Sequence, residues 1–162
     1  MSVRAFIPSL LVLVASACTS GAADTLAPAS APLTPAMSAA IATALQDEYH
    51  AEQTYRGVLT SFGNAMPFAN IITAEQRHAA ALASLLEVRG IAVPASIWNA
   101  GNVPQFSTLA TACAVAADAE VANIALYDEL LTQDLPTDVR TVFTNNRRAS
   151  LEGHLPAFTR CR

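Results

Sequence analysis

Residues 67–90 read PFANIITAEQRHAAALASLLEVRG, and this stretch decides the fold class. A proline opens it, a glycine closes it, and its apolar residues recur every three or four positions, which is the spacing of one face of an α-helix. Two polar residues, Glu75 and His78, occupy that apolar face. We therefore predict a helix over about Pro67–Arg89 that carries a carboxylate and an imidazole on its buried side.

Three further stretches show the same helical spacing, and strand-like alternation is lacking. They are predicted at about Pro35–Phe62, with Thr34 as a possible N-cap, at about Ser107–Gln133, and at about Thr137–Phe158, with Pro136 in its opening turn. The chain is therefore predicted to be all-α.

The connections between these helices predict a topology. Short links after the first and third helices favour two antiparallel hairpins. The middle connection, Ile91 to about Gln105, could reach roughly 50 Å if extended, enough to pass along a whole helix of about 24 residues. A ferritin-like four-helix bundle, with one long crossover loop, is favoured over an up-down-up-down bundle with short turns.

Composition narrows the class of protein. The chain of 162 residues is 52% hydrophobic, 14% charged and carries a formal net charge of −4, with 34 alanines and no lysine. A disordered polyelectrolyte is excluded, and nucleic acid is not an expected partner because no basic surplus exists to neutralise phosphates. The abundant alanine favours helices that pack closely.

The N-terminus has the form of a secretory signal. Arg4 precedes an apolar run, Ala5–Val14, and small residues stand directly before Cys18. The run is shorter than the roughly 20 residues that span a bilayer. We predict a signal peptide over residues 1–17, then either a lipid-anchored Cys18 or free secretion, and a flexible tether over residues 18–35. The protein is expected in the periplasm or cell envelope, touching a membrane only through that anchor.

Two cysteines remain after Cys18. Cys113, near the start of the third helix, and Cys161, just after the fourth, would meet at one end of an antiparallel helix pair. In an oxidising compartment an even pair of cysteines suggests a disulfide. The alternative is two unpaired, buried thiols.

Each predicted helix places a potential metal ligand on its apolar face. The set is Glu48 and Glu52 in the first helix, Glu75 and His78 in the second, Glu120 in the third and His154 in the fourth. Folding each helix pair about its turn brings Glu52 beside residue 77, and Glu120 within one turn of His154. The six side chains can therefore converge.

Four carboxylates inside a bundle would cost several kcal/mol each or would have to be protonated. Two divalent cations supply four positive charges, and mixed oxygen and imidazole donors suit iron or manganese better than zinc. We therefore predict a site for two Fe or Mn ions. The alternatives are that Glu48 and Glu52 face solvent, and that His154 is an ordinary hydrogen-bonded histidine.

Four further residues lie near these ligands in the sequence: His50, Tyr55, Tyr127 and Asp128. Tyr55 is predicted either to pack in the core or to lie beside the metals, where it would supply an electron or a hydrogen bond as a catalytic residue. His50 lies about 200° around the helix from Glu48 and is expected to be exposed. For Tyr127 and Asp128, packing and solvation are favoured over a place next to the ligands.

Four segments resemble a bacterial family of ferritin-like domains that is itself uncharacterised: DEYHAEQTY at 47–55, AEQRH at 74–78, AEVANIALYDELL at 119–131 and HLPAF at 154–158. The resemblance covers about residues 36–162 and implies a ferritin-like fold with di-iron or di-manganese carboxylate chemistry. It implies as ligands Glu52 or Glu48, the pair Glu75 and His78, then Glu120 and His154.

The fourth helix departs from the pattern of that superfamily. Full di-iron proteins carry a second E-x-x-H there, but Leu151 stands three residues before His154. Gly153 and Pro156 are expected to distort this turn. Either Glu48 completes the set, giving four carboxylates and two histidines, or the site is incomplete.

These features predict an exported, ferritin-like protein that binds two metal ions. Its activity, if it is an enzyme, would be ferroxidase-like oxidation of Fe(II) or consumption of oxygen or peroxide. The alternative is a metal-free structural or interaction bundle of the cell envelope. Neither storage of a mineral core nor a particular oligomeric state is implied.

Overall fold

The computed structural model describes Met1 and residues 30–161, and the regular structure in that part of the chain is entirely helical. The elements are α1 (Pro35–Phe62), α2 (Phe68–Glu87), α3 (Leu109–Leu130), α4 (Thr137–Ala149), a π-helical turn (Ser150–His154) and α5 (Leu155–Cys161). The predicted all-α class is confirmed. Apart from Met1, the predicted signal peptide lies outside the described residues, as do Cys18 and the tether up to residue 29.

Local sequence explains where the helices begin and end. The Thr34 hydroxyl accepts a hydrogen bond of 3.1 Å from the backbone N–H three residues on, and the Thr108 hydroxyl does the same at 3.1 Å, which caps α1 and α3. Gly63 and Gly90, with φ of 71° and 66°, take left-handed conformations after α1 and α2. Because Thr108 is the cap, α3 starts two residues later than predicted.

The fourth predicted helix is interrupted. The backbone N–H of Leu155 donates to the carbonyl of Ser150, which is the wider hydrogen-bonding pattern of a π turn. Pro156 has no N–H with which to continue a regular α-helix, so the predicted distortion of this turn is confirmed. The turn leaves Leu151 40% exposed and buries Ser150.

Side-chain contacts show the directions of neighbouring helices. Gln76 of α2 donates to Glu52 of α1, while His78, further along α2, lies beside Glu48, which comes earlier in α1. The two helices are therefore antiparallel. The same reversal relates α3 to the chain after it, where Asp128 pairs with Arg147, Glu120 with His154 and Cys113 with Cys161.

The interior consists of two apolar clusters. The first, which we call core A, includes Ile41, Leu45, Leu82, Leu86, Val139 and Phe143. The second, core B, includes Val58, Phe68, Ile71, Ala116, Ala117 and Phe158. Helices α1, α2 and α3 each pass from one core to the other, and the buried polar residues of each lie between its two apolar stretches. The chain from α4 to α5 does the same, with Asn146, Ser150 and His154 between the cores. The molecule therefore has a polar layer between two apolar cores.

A disulfide joins Cys113 to Cys161, with Cα atoms 5.7 Å apart, so the predicted pairing is confirmed. Both cysteines belong to core B or pack against it. The bond ties α3 to α5 at the end of the molecule beyond the polar layer.

By length and composition alone, α3 is long and apolar enough to cross a membrane. The core helix of a soluble protein meets the same two criteria. Three of its buried side chains are polar and contact other helices: Glu120, Asn123 and Tyr127.

Candidate metal centre

Four helical segments supply the charged residues of the polar layer. Glu48 of α1, Glu75 of α2 and Glu120 of α3 are at most 3% exposed, and His154 of the π turn is 6% exposed. His78, one turn after Glu75, retains a little more exposure, with 12% of its side chain accessible. The structure thus brings together five of the six predicted ligands.

Glu75 lies at the centre of this group and faces a different histidine with each carboxylate oxygen. Its Oε2 is 3.1 Å from His78 Nδ1, and its Oε1 is 3.1 Å from His154 Nδ1. A second carboxylate approaches each histidine: Glu48 Oε2 lies 3.3 Å from His78 Nδ1, and Glu120 Oε2 lies 3.5 Å from His154 Nδ1. We call Glu48, His78 and Glu75 the first half-site, and Glu120, His154 and Glu75 the second.

The second half-site contains two polar atoms without hydrogen bonds. Glu75 Oε1 and His154 Nδ1 are fully buried and lie close together, yet neither has a hydrogen-bond partner among the described residues. Buried polar atoms are rarely left in this state, since each unsatisfied group costs about 1–3 kcal/mol. When the imidazole of His154 is neutral, these two atoms are neighbouring electron-pair donors, and a cation placed between them would bind both. Ligand atoms of Glu75, His78 and His154 all lie within 4.8 Å of one another.

Two tyrosines hold the outer carboxylates in place. The hydroxyl of Tyr55 donates to Glu120 Oε1 at 2.7 Å, and that of Tyr127 donates to Glu48 Oε1 at 2.5 Å. Both hydroxyls are buried, and Asn146 Nδ2 donates to the Tyr127 oxygen at 3.0 Å. Each outer glutamate therefore presents one oxygen to a tyrosine and the other to a histidine. Tyr55 contacts the ligands, and Tyr127, for which packing was favoured, does so too.

Without metal, protons neutralise part of this charge. Burial opposes protonation of both histidines, but the carboxylates outweigh it: Glu48 and Glu75 raise the pKa of His78 to about 9, and Glu120 and Glu75 raise that of His154 to about 10. Burial raises the pKa of Glu48 to about 7, against the pull of His78. Burial likewise opposes ionisation of Glu75, but His154 and His78 outweigh it and lower its pKa.

Glu52, the sixth predicted ligand, lies outside the cluster. Its Oε1 accepts hydrogen bonds from Arg56 and, at 3.0 Å, from Gln76. The contact with Gln76 places Glu52 within one residue of the predicted level along α2. The side chain lies at the edge between α1 and α2, however, and 15% of it is exposed to solvent. Three buried carboxylates therefore converge, rather than four.

A chain of hydrogen bonds runs beside the predicted ligands. Ser150 donates to Asn123 Oδ1 at 2.8 Å, and Asn123 Nδ2 donates to Asp47 Oδ2 at 2.7 Å. A second E-x-x-H motif would require a glutamate at position 151, where this chain has the exposed Leu151. The polar group that is buried instead is the hydroxyl of Ser150. Burial raises the pKa of Asp47, although the hydrogen bond from Asn123 opposes this.

His50, which was expected to be exposed, is half-buried. Its ring packs against Trp98 of the segment between α2 and α3, with ring centroids 4.3 Å apart and the ring planes tilted by 40°. The expectation was wrong because this long segment covers that side of α1.

The sequence analysis favoured packing for Tyr127 and did not assign a role to Ser150, although a sequence signal points to Tyr127. Tyr127 follows Glu120 by seven residues, as Tyr55 follows Glu48, which places each pair two turns apart on one helix face. The repeat of this spacing in α1 and α3 marks both tyrosines. Ser150 lies seven residues after Phe143 and four before His154, on the predicted apolar face of the fourth helix, but no sequence pattern marks its hydroxyl as a partner of Asn123.

Comparison with known proteins finds no match, since no family model, curated protein or solved structure is significantly similar to this chain. The likeness to ferritin-like domains therefore rests on the sequence motifs alone.

Proposed function

We propose that this protein is a ferritin-like bundle that binds two divalent metal ions, iron or manganese, in the polar layer. The observation that carries the proposal is Glu75, whose two oxygens each face a different histidine, with Oε1 lying 3.1 Å from His154 Nδ1 without a hydrogen bond. A carboxylate placed in this way can be shared by two ions. Glu48 and His78 would complete the first half-site, and Glu120 and His154 the second.

The ligand types support this choice of metals. Three carboxylates and two imidazoles form an open, oxygen-rich set, whereas structural zinc prefers a closed tetrahedron of nitrogen and sulfur. Two divalent ions would offset the carboxylate charge that protons on His78 and His154 otherwise balance. Metal binding would then displace those protons, because imidazole binds metals in its neutral form.

The helix directions support a ferritin-like topology. Glu48 of α1 contacts Tyr127 of α3, whereas Tyr55, which comes later in α1, contacts Glu120, which comes earlier in α3. These contacts make α1 and α3 antiparallel. With α1 antiparallel to both α2 and α3, the segment 88–108 must return along the bundle, and its length allows this. A ferritin-like bundle with one long crossover has this arrangement.

The chemistry follows from what such ions supply. Bound iron or manganese provides a redox couple for oxidation of Fe(II) or for reaction with oxygen or peroxide. Tyr55 and Tyr127 keep Glu120 and Glu48 oriented toward the histidines, and cores A and B exclude water on both sides. Burial and Glu120 raise the pKa of Tyr55 well above its usual value, so this phenol remains a hydrogen-bond donor.

Metal content per chain tests the proposal. We expect about two Fe(II) or Mn(II) ions per full-length chain after anaerobic loading, and loss of both in Glu75→Gln, because this residue belongs to both half-sites. Glu52→Gln is the matched control, since it makes the same change in a neighbouring glutamate outside the cluster, and should keep both ions. A wild-type content near zero, or an unchanged content in Glu75→Gln, would overturn the proposal.

A metal-free structural bundle is the second candidate. The hydrogen bond of 3.1 Å between His78 Nδ1 and Glu75 Oε2 favours it, because protonated histidines can balance the carboxylates without any metal. In that case variants that replace Glu75 and His78 together by leucine would raise the free energy of unfolding, as replacing a whole buried ion pair by apolar residues often does. A metal protein would instead lose its bound ions in these variants.

We also infer that the protein is exported, by the signal over residues 1–17, and is secreted or anchored by lipid at Cys18. The disulfide supports this, because disulfides persist mainly in oxidising compartments. Mass spectrometry of the intact mature protein tests it, since a lipid on Cys18, a cleaved but unmodified N-terminus and a retained Met1 differ in mass.

A further inference from the structure

A cavity of about 50 Å³ lies between α1 and α3 and reaches the second half-site. Its outer end is bordered by exposed residues of α3, Val115 and Ala119, and its inner end by the buried Glu75 and Glu120. A water molecule needs roughly 10–15 Å³ of such space, so the cavity has room for a few waters or for a cation that keeps part of its hydration shell.

Two buried oxygens that make no hydrogen bond face this cavity. One is Glu75 Oε1, in the second half-site. The other is the hydroxyl of Thr54, a residue 7% exposed whose Oγ1 has no hydrogen-bond partner among the described residues. Thr54 is not a ligand of either half-site. A second polar group, buried and unsatisfied part-way along the cavity wall, points to a ligand that passes or rests there.

The charged side chains of the cavity wall indicate which kind of ligand the cavity admits. Asp47, Glu75 and Glu120 are acidic, and none of the described residues that border the cavity is a lysine or an arginine. Of the two carboxylate oxygens of Asp47, Oδ2 accepts a hydrogen bond from Asn123, whereas no described residue donates to Oδ1. A wall of this kind attracts cations and repels anions.

We propose that this cavity is the uptake route by which a divalent cation reaches the second half-site, with Asp47 and Thr54 as transient oxygen ligands. The inference rests on the proposed metal-binding function and adds to it a path and two residues outside the ligand set. Oxygen donors at two depths let the ion exchange its waters stepwise instead of losing them all at once at Glu75.

The rate of metal uptake tests the route. Co(II) is a suitable probe, since its visible absorption reports coordination by protein and it needs no redox step. We expect Asp47→Asn in the full-length protein to slow Co(II) uptake on the order of tenfold in stopped-flow experiments, as electrostatic steering does. Total Co(II) bound at equilibrium should not change. Added salt should slow the wild type more than the variant, because screening removes an attraction that the variant has already lost.

Asp134→Asn is the matched control, since it removes the same charge from an exposed residue between α3 and α4. It should take up Co(II) at the wild-type rate. Thr54→Val tests the inner oxygen independently: it preserves shape, removes the hydroxyl, and should slow uptake without changing the amount bound.

The possible outcomes separate the two proposals. If the wild type loads two ions and Asp47→Asn and Thr54→Val load them at the same rate, the uptake route is wrong and the metal site stands. That result would leave the cavity to a neutral molecule such as oxygen or peroxide. If the wild type binds no metal, the proposed function fails, and the route fails with it.

Discussion

At the scale of single residues, each outer carboxylate of the polar layer contacts two partners that compensate its buried charge. Glu48 and Glu120 each accept a hydrogen bond from a tyrosine on one oxygen and face a histidine with the other. Removing one partner of a buried charged group is costly, often about 3–5 kcal/mol, because the remaining charge is left without compensation. The tyrosines are therefore part of the site and not only of the core.

Tyr127→Phe tests this role. The variant leaves Glu48 Oε1 without its donor while the ring still fills its place beside Phe143. We expect a loss of about 1–3 kcal/mol in the free energy of unfolding without metal, and metal affinity about 10–100-fold weaker in competition titrations with a chelator. Tyr49→Phe, at a half-buried tyrosine that packs on core A, should leave the affinity unchanged. Equal affinities in wild type and Tyr127→Phe would contradict the assignment.

The raised pKa values predict how the stability of the metal-free protein depends on pH. The pKa values of His78 and His154 rise from 6.5 to about 9 and about 10, so their contribution is complete below pH 6.5 and is lost as the pH rises through those values. Glu48, raised from 4.5 to about 7, acts in the same direction at lower pH. We therefore expect a lower melting temperature at pH 10 than at pH 6, measured by circular dichroism with a chelator present.

A variant isolates the histidine part of this effect. With both histidines replaced by glutamine, the melting temperature should depend much less on pH between 7 and 10. A wild-type melting temperature that stays level or increases over this range would show that the histidines are not held in their charged form.

At the scale of elements, the π turn decides what the fourth helix contributes. It places Ser150 and His154 inside the polar layer and turns Leu151 toward solvent. Hydrophobic periodicity predicted α1 and α2 nearly to their observed ends, because a helix that buries one face repeats its apolar residues every three or four positions. The π turn breaks that repeat, so proline and glycine indicated a distortion but not its direction.

Leu151→Glu tests the direction of this turn. In a regular helix the new carboxylate would complete a second E-x-x-H motif, but in this structure it would point into solvent. We expect unchanged metal content and a free energy of unfolding within about 0.5 kcal/mol of the wild type, as for most surface changes. Ser150→Glu, one residue earlier, places the same group in the buried layer and should lower the melting temperature. Tighter metal binding in Leu151→Glu would show that the turn rearranges.

At the scale of the whole molecule, the two apolar cores and the disulfide stabilise the bundle around a layer that is expensive to bury. Core B and the Cys113–Cys161 bond lie on one side of the polar layer, and core A lies on the other. Cores A and B bring the proposed ligands together from four separate helical segments. The disulfide closes a loop with a sequence separation of 48 residues and lies outside the ligand set.

Replacing both Cys113 and Cys161 by serine should therefore weaken the fold without removing the site. The chain-entropy model gives a loss of at most about 4 kcal/mol for a loop of this length, to be measured by urea unfolding. Wild type treated with a reductant should show a similar loss. The folded variant should still bind the wild-type amount of metal, and loss of metal from a variant that remains helical would show that the disulfide positions the ligands.

The order of residues along the chain was enough to predict the helices, the cysteine pairing and, together with Glu52, all five clustered residues: Glu48, Glu75, His78, Glu120 and His154. Packing of the whole bundle was needed to place Glu48 inside and Glu52 outside, and to direct Tyr127 onto Glu48. Residues four apart on a helix differ by only about 40° in direction. A small rotation of α1 about its axis would turn Glu52 inward and Glu48 outward. That rotation is set by contacts with α2 and α3, which the periodic pattern within one helix does not contain.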